Sequence, residues 1–183
     1  MKGVIFTQFF EMVEDELGFE MVDQLIENTN LSTGGAYTTV GTYDHKELLA
    51  LTGLLAKLTG LSVNELLVSY GQYLFPRLTN VCPDVIERFS SCFELVAAVD
   101  DVIHPEVLKL YPDAELPTFE VVGRDTHSMN VSYKSCRPFA YLAKGLILGA
   151  SNHYHEAKSV AIEANGDETL IKIKDKEVEE AIC

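Results

Sequence analysis

The sequence contains no tryptophan, only 14 Lys and Arg residues against 28 Asp and Glu, and no long apolar run. The resulting net charge of −14 argues against nucleic acid as a partner, because nucleic acids attract proteins through lysine and arginine. The same acidic balance argues against binding to an anionic membrane surface. No apolar stretch approaches twenty residues, so we expect neither a membrane span nor a signal peptide.

The four cysteines are Cys82, Cys92, Cys136 and Cys183, and no two of them form a CxxC pair. This spacing fits neither a zinc ribbon nor the disulfide framework of a secreted domain. Scattered thiols are typical of a reducing compartment, so we expect a cytoplasmic protein. A chain of 183 residues can bury its own core as one domain or two packed subdomains.

Apolar residues recur at spacings of three and four through the first two thirds of the chain, which predicts helices. The predicted helices cover about residues 4–17, 20–27, 45–59, 63–75 and 84–99. Asp44 with Glu47, and Ser62 with Glu65, are start signals for the third and fourth helices, and Pro76 ends the fourth. Most apolar positions predict a helical core, but the broad apolar faces also suit helices that enclose a ligand.

The last third of the chain changes to the pattern of strands and one helix. Predicted strands cover about residues 118–122, 129–133, 159–164 and 169–174, and the helix covers 137–152. The Asn165-Gly166 pair predicts a type I′ turn between the last two strands.

The prediction is an α+β fold in which two subdomains pack against each other. A helical N-terminal subdomain covers about residues 1–62. A C-terminal subdomain of about residues 63–174 contains a four-stranded antiparallel sheet and helices, and residues 175–183 form a charged tail. The crevice between two such subdomains is a natural ligand site.

Two features could carry chemistry. His104 lies between apolar residues at the start of a predicted helix, where it is either a packed side chain or an axial ligand to a buried iron. Tyr133, Ser135 and Arg137 alternate, so a strand running through them would place a phenol, a hydroxyl and a guanidinium on one face. Such a row fits carboxylates or phosphates, and the alternative is a strand face turned to water.

Five segments together resemble the bacterial H-NOX family, the haem-nitric oxide/oxygen binding domains. They are MKGVIFTQFFEMV, GTYDHKELL, VIHPEVLKLYPDAELP, YKSCRPF and GLILGASNHY, and the match covers essentially the whole chain. The resemblance implies a haem b (iron protoporphyrin IX) between the two subdomains. It implies His104 as the proximal iron ligand, with Tyr133, Ser135 and Arg137 bonded to the two haem propionates.

The resemblance also assigns residues around the haem ring. Pro117 matches a proline that presses on the macrocycle and keeps it bent, and Ile5 matches a residue that packs on it. The implied distal pocket is apolar and consists of Phe9, Leu74, Leu142 and Leu146. Family members that hold dioxygen resemble one another in carrying a tyrosine where this chain has Leu142. Nitric oxide is therefore the expected ligand, together with carbon monoxide.

The expected function is a haem-based gas sensor without catalytic activity of its own. The resemblance suggests that nitric oxide breaks the iron bond to His104 and shifts the helical part relative to the sheet. The expected receiver is a separate protein, a sensor histidine kinase or a cyclic-di-GMP synthase/phosphodiesterase. The alternatives are a thiol or redox sensor on the same fold, possibly zinc-linked, and a haem-free interaction module. A peroxidase-like enzyme is disfavoured because the implied distal wall has no acid-base residue.

Overall fold

The computed structural model describes residues 1–80, 83–165 and 168–176. Its helices are α1 (Gly3–Leu17), α2 (Phe19–Asn28), α3 (His45–Thr59), α4 (Val63–Thr79), α5 (Pro83–Ile86), α6 (Cys92–Ala97), α7 (His104–Leu110) and α8 (Ala140–His153). A π-helical turn, Val99–Ile103, leads from α6 into α7. The strands are β1 (Thr118–Arg124), β2 (Ser128–Lys134), β3 (Lys158–Asn165) and β4 (Glu168–Asp175).

The four strands form one antiparallel sheet in the order β1-β2-β4-β3, so the predicted α+β fold is confirmed. Asn165 of β3 pairs with Glu168 of β4. The predicted type I′ turn falls on residues 166 and 167, which lie outside the described part of the chain. The predicted charged tail also lies outside it from residue 177 onward.

Side chains at the predicted start signals begin α3 and α4. The Asp44 carboxylate accepts a hydrogen bond from a backbone N–H of the first turn of α3. Ser62 and Glu65 form a complete capping box at α4. Glu47 does not close the equivalent box at α3, because its carboxylate accepts a hydrogen bond from the Tyr37 hydroxyl at 2.5 Å instead. The sequence pattern therefore predicted the start of α3 correctly.

Two predicted helix boundaries are wrong. Helix α4 continues past Pro76 to Thr79, and the Arg77 side chain donates a hydrogen bond to the carbonyl of Tyr73 there. The predicted helix over residues 84–99 is broken, because Ser91 caps a new helix by accepting a hydrogen bond from the Glu94 N–H at 3.2 Å.

Two hydrophobic cores meet inside α4. The N-terminal core contains buried residues of α1 to α4 as far as Leu74, with Phe139 and Leu142 added from the start of α8. The C-terminal core begins at Phe75 and contains residues of α6, α8 and the sheet. Helix α4 contributes to both cores, so the cores themselves do not mark a boundary at residue 62. The predicted subdomain boundary there stays a prediction.

No single helix in the described ranges is long and apolar enough to cross a membrane. Helices α3 and α4 together have the length and apolar composition of a membrane span, but the pair is bent by 111°. In α3, Leu48, Leu51 and Leu55 are fully buried in the N-terminal core.

Helices α4 and α8 pack so closely that only glycine fits where they cross. A Cβ atom at Gly145 would overlap the carbonyl oxygen of Val68 and lie 2.8 Å from the Cα of Gly71. We expect Gly145→Ala to lower the free energy of unfolding by about 2 kcal/mol, because neither backbone can move without disturbing both cores. Urea unfolding followed by circular dichroism measures this change.

Gly53→Ala in α3 is the matched control, because a Cβ atom at Gly53 meets nothing within 4 Å. Alanine is preferred over glycine inside a helix, so this variant should be more stable by about 0.5–1 kcal/mol. Equal effects of the two substitutions would contradict the close contact between α4 and α8.

Candidate functional site

A cavity of about 450 Å³ opens between the helices and the sheet. Its wall takes residues from α1, from α4 to α8, from the loop over residues 111–117 and from β1 and β2. Most of these residues are apolar, and both hydrophobic cores contribute to them. Polar side chains come mainly from α7, from the 111–117 loop and from the end of β2.

His104 lines the cavity as the first residue of α7. Its Nδ1 lies 2.9 Å from Oδ1 of Asp100, one turn earlier in the π-helical turn. Burial lowers the pKa of His104, while the negative charge of Asp100 acts in the opposite direction. With Nδ1 facing a carboxylate, Nε2 is the ring nitrogen left to bind a metal. A carboxylate behind a histidine is typical of metal-binding imidazoles.

Asp100 connects the histidine to the sheet. Its Oδ2 accepts a hydrogen bond from the backbone N–H of Phe119 in β1 at 2.9 Å. Its Oδ1 is buried and has no well-aligned donor among the described residues, although the His104 nitrogen is within reach. A small rotation of the imidazole would supply that donor. A metal bound on Nε2 would hold the ring in such an orientation.

Tyr133, Ser135 and Arg137 do not lie on one strand face. Strand β2 ends at Lys134, so Tyr133 is in the strand and the other two follow it. Just after the strand, Ser135 Oγ accepts a hydrogen bond from the Arg137 N–H at 3.1 Å. This local turn takes the place of the hydrogen bonds between strands. The three side chains nevertheless all line the cavity. The predicted grouping of donors is present, but a turn produces it.

A second concavity, of about 310 Å³, lies at the same three residues. Its remaining lining residues are Cys136, Pro138, Ala140 and Thr169. Burial raises the pKa of Tyr133, and a hydrogen bond with Ser135 partly offsets this effect. The phenol therefore stays protonated and available as a donor where the cavity meets this concavity.

Tyr133, Ser135 and Arg137 form a polar rim of the cavity. Arg137 is the cation of this polar rim, and residues of the 111–117 loop hold its side chain in place. Nη1 donates a hydrogen bond to the backbone carbonyl of Glu115 at 2.9 Å. Nη2 donates to the Glu115 carboxylate. The Arg137 side chain is 13% exposed and that of Glu115 is 73% exposed.

Of the four residues predicted for the distal pocket, Leu142 and Leu146 line the cavity, and Ile5 lines it as well. Phe9 and Leu74 do not line it, and both are fully buried in the N-terminal core. Their place in the distal pocket stays a prediction; in this structure the ring of Phe9 packs edge-on against Tyr70, with centroids 5.4 Å apart.

The polar groups near this wall are occupied or face elsewhere. The Tyr70 hydroxyl donates a hydrogen bond to the carbonyl of Ile5. Thr79, which α4 adds to the lining, donates to the carbonyl of Pro76 at 2.9 Å. Tyr141 packs against the N-terminal core and is not a lining residue. Pro117 also lines the cavity, just before β1.

These residues fit a flat apolar group with carboxylates at one edge and a metal at its centre. The wide apolar interior suits the ring, the imidazole of His104 suits the metal, and the rim with Arg137 suits the carboxylates. The fold and the cavity thus define a protein that encloses an iron porphyrin.

Comparison with known proteins agrees with this class. The family model described as Haem-NO-binding matches residues 2–163. The ferrous unliganded H-NOX protein from K. algicida is 35% identical, with a TM-score of 0.89 over 96% of this chain and 97% of that chain. An H-NOX protein from S. oneidensis in the Fe(II)NO state is 26% identical, with a TM-score of 0.88 over 96% and 99%. The Fe(II)CO structure of H-NOX from Shewanella woodyi is 35% identical, with a TM-score of 0.80 over 96% and 94%. No curated protein sequence matches the chain.

The chain belongs to the haem-NO-binding family, whose members are also called H-NOX proteins. Haem is accordingly its cofactor. Sequence reasoning missed two residues of the site, Asp100 and Glu115. The four-residue spacing between Asp100 and His104 places both on one face of a helix and was an available signal. Glu115 is 22 residues from Arg137, and no local pattern relates the two.

Proposed function

We propose that this chain senses nitric oxide through a haem b held by His104 and signals to a separate protein, without catalytic activity of its own. The observation that carries this proposal is the apolar wall of Ile5, Leu142 and Leu146, on which the nearby hydroxyls are already bonded. When bound, ferrous haem would supply an iron, held by His104, that could take nitric oxide or carbon monoxide. Nitric oxide would weaken the bond between that iron and His104.

The polar rim is proposed to hold the haem propionates. Arg137 gives a fixed positive charge and a planar set of donors, and Tyr133 and Ser135 add hydroxyl donors beside it. Pro117 and Ile5 both line the cavity and are proposed to pack on the macrocycle. These residues would hold the haem within reach of Nε2 of His104.

The distal wall is proposed to select nitric oxide over dioxygen. Iron-bound dioxygen is strongly polarised and gains from a hydrogen-bond donor, whereas nitric oxide and carbon monoxide bind ferrous haem without one. Ile5, Leu142 and Leu146 offer no donor. Phe9 and Leu74 are proposed to form the layer that supports this wall.

The signal is proposed to move the two subdomains, residues 1–62 and 63–174, relative to each other. The 111–117 loop follows the helix of His104, and its Asp113 accepts a hydrogen bond from Lys2 at 3.0 Å and another from Thr42 at 2.8 Å. A displacement of α7 therefore reaches the start of α1. The proposed receivers are a sensor histidine kinase or a cyclic-di-GMP synthase/phosphodiesterase, and the net charge of −14 favours a basic patch on that partner. The proposed location is the cytoplasm, which suits the free thiols of Cys92 and Cys136.

The absorption spectrum of the ferrous protein tests the proposal. Nitric oxide should shift the Soret band to that of a haem without an axial histidine, and air should give no stable dioxygen complex. Leu142→Tyr should introduce a donor on the distal wall and lengthen the lifetime of a dioxygen complex at least tenfold. Tyr141→Phe is the control and should behave like the wild type, because Tyr141 does not line the cavity. A stable dioxygen complex of the wild-type protein would exclude the proposed selectivity.

The alternative function, a thiol sensor, has a specific obstacle at Cys92. Burial, with the negative charge of Glu156 adding to it, raises the pKa of Cys92 to about 12. At pH 8 roughly one Cys92 in ten thousand is then a thiolate, the reactive form. Cys136, in contrast, is exposed to solvent.

Alkylation of the native protein therefore distinguishes the two thiols. We expect iodoacetamide at pH 8 to modify Cys136 at least a hundredfold faster than Cys92, as measured by mass spectrometry of their peptides. Denatured protein is the control, in which both should react at similar rates. Rapid labelling of Cys92 in the native protein would instead support the alternative function, a thiol sensor at that position.

A further inference from the structure

The cation proposed to hold the haem propionates is already paired with a carboxylate of this chain. Glu115 receives two hydrogen bonds from Arg137, one on its backbone carbonyl and one on its side chain. Both residues line the cavity. A propionate carboxylate and the Glu115 carboxylate are chemically the same kind of acceptor for one guanidinium.

Glu115 could position Arg137 or could compete for it, and the backbone contact distinguishes these two roles. Nη1 of Arg137 stays bonded to the Glu115 carbonyl whatever side chain occupies position 115. The guanidinium is also confined, because only 13% of its side chain is exposed. The Glu115 carboxylate is therefore not needed to position Arg137, and its remaining effect is to occupy a donor edge and to neutralise charge.

We infer that the Glu115 side chain competes with the haem propionates for Arg137 and thereby sets how readily the protein releases haem. This inference rests on the proposed role of Arg137. The 73% exposure of the Glu115 side chain allows it to swing into water when a propionate takes its place. When a propionate leaves, the carboxylate returns to Arg137, and haem does not leave an unpaired cation behind.

The expected size of the effect follows from the exposure of the pair. Ion pairs with one well-exposed partner are worth roughly 0.2–1 kcal/mol, which corresponds to a factor of up to about five in a rate or an equilibrium constant. Removing the charge of Glu115 should therefore slow haem loss by roughly two- to fivefold. The chain carries a net charge of −14, so removing any one negative charge could change haem loss. A control variant must therefore lose one negative charge at a site away from Arg137.

Transfer of haem from the loaded protein to excess apomyoglobin, followed by the Soret band, measures haem loss directly. Glu115→Gln keeps the shape of the side chain and the backbone contact but removes the charge. Glu20→Gln is the matched control, because Glu20 is an exposed residue of α2 away from the cavity lining and the charge change is the same. We expect Glu115→Gln to lose haem more slowly than both the wild type and Glu20→Gln.

Arg137→Gln completes a double-mutant cycle. It should lose haem faster than the wild type, and in its background Glu115→Gln should have no further effect. Haem loss from Glu115→Gln at the wild-type rate, or faster, would overturn the competition while leaving the role of Arg137 intact. If Arg137→Gln itself retains haem as well as the wild type, the proposed propionate contact fails, and the inference fails with it. Circular dichroism of each variant confirms that the fold is kept.

Discussion

Replacing His104 with glycine should cost the protein its axial ligand and reduce haem retention at least tenfold, with recovery when free imidazole is added. The reason is that His104 is the one histidine lining the cavity among the described residues. Glycine leaves room for an exogenous imidazole at the same place. Haem content after reconstitution and the ferrous absorption spectrum, with and without imidazole, measure the effect.

His127→Gly is the control for this experiment. His127 is an exposed residue between β1 and β2 whose side chain contacts Asp175 and does not line the cavity. It should keep the haem content and the spectrum of the wild type. If His104→Gly retained haem and kept the ferrous spectrum without imidazole, the iron ligand would have to be another side chain.

Asp100→Asn should weaken the iron bond to His104 without removing the ligand. A carboxylate facing Nδ1 increases the basicity of the opposite ring nitrogen, and loss of such a partner typically changes metal affinity or activity by 10- to 100-fold. Here Asp100 also fixes the start of α7 to β1 through the Phe119 N–H. We expect a lower iron–histidine stretching frequency in resonance Raman spectra, and displacement of His104 by nitric oxide that is about tenfold faster.

Asp101→Asn provides a control at the neighbouring position, because Asp101 is exposed and does not line the cavity. It changes the net charge by the same amount and should leave both the stretching frequency and the displacement rate unaltered. Identical behaviour of the two variants would mean that Asp100 acts only through overall charge and does not position the histidine.

Elements with a repeated local signal were predictable from the sequence. Helix α4 has both a capping box at Ser62 and an apolar face, and the sheet has alternating strands, so both appear where expected. The failures occur where one local signal competes with another. Ser91 restarts a helix inside an apolar stretch that is periodic throughout, and α4 continues one turn beyond Pro76. At Ser91 a capping hydrogen bond interrupts the periodic stretch, and at Pro76 the helix continues in spite of the proline.

The site was predictable in its chemistry and less so in its geometry. His104 and Arg137 line one cavity as expected, but Arg137 reaches it from a turn that the alternating pattern does not contain. The sequence also did not indicate that the ring of Phe9 packs edge-on against Tyr70 within the N-terminal core. The contact between Arg137 and Glu115 depends on the tertiary fold and has no local signature.

Helix α4 has a consequence for how the chain unfolds. Two separate hydrophobic cores would ordinarily allow two melting transitions, one for each. Here the same helix contributes Leu74 to one core and Phe75 to the other, and it crosses α8 at backbone contact through Gly71 and Gly145. Neither core can open without breaking a helix on which the other depends. The two halves are therefore expected to melt together, as a single cooperative unit.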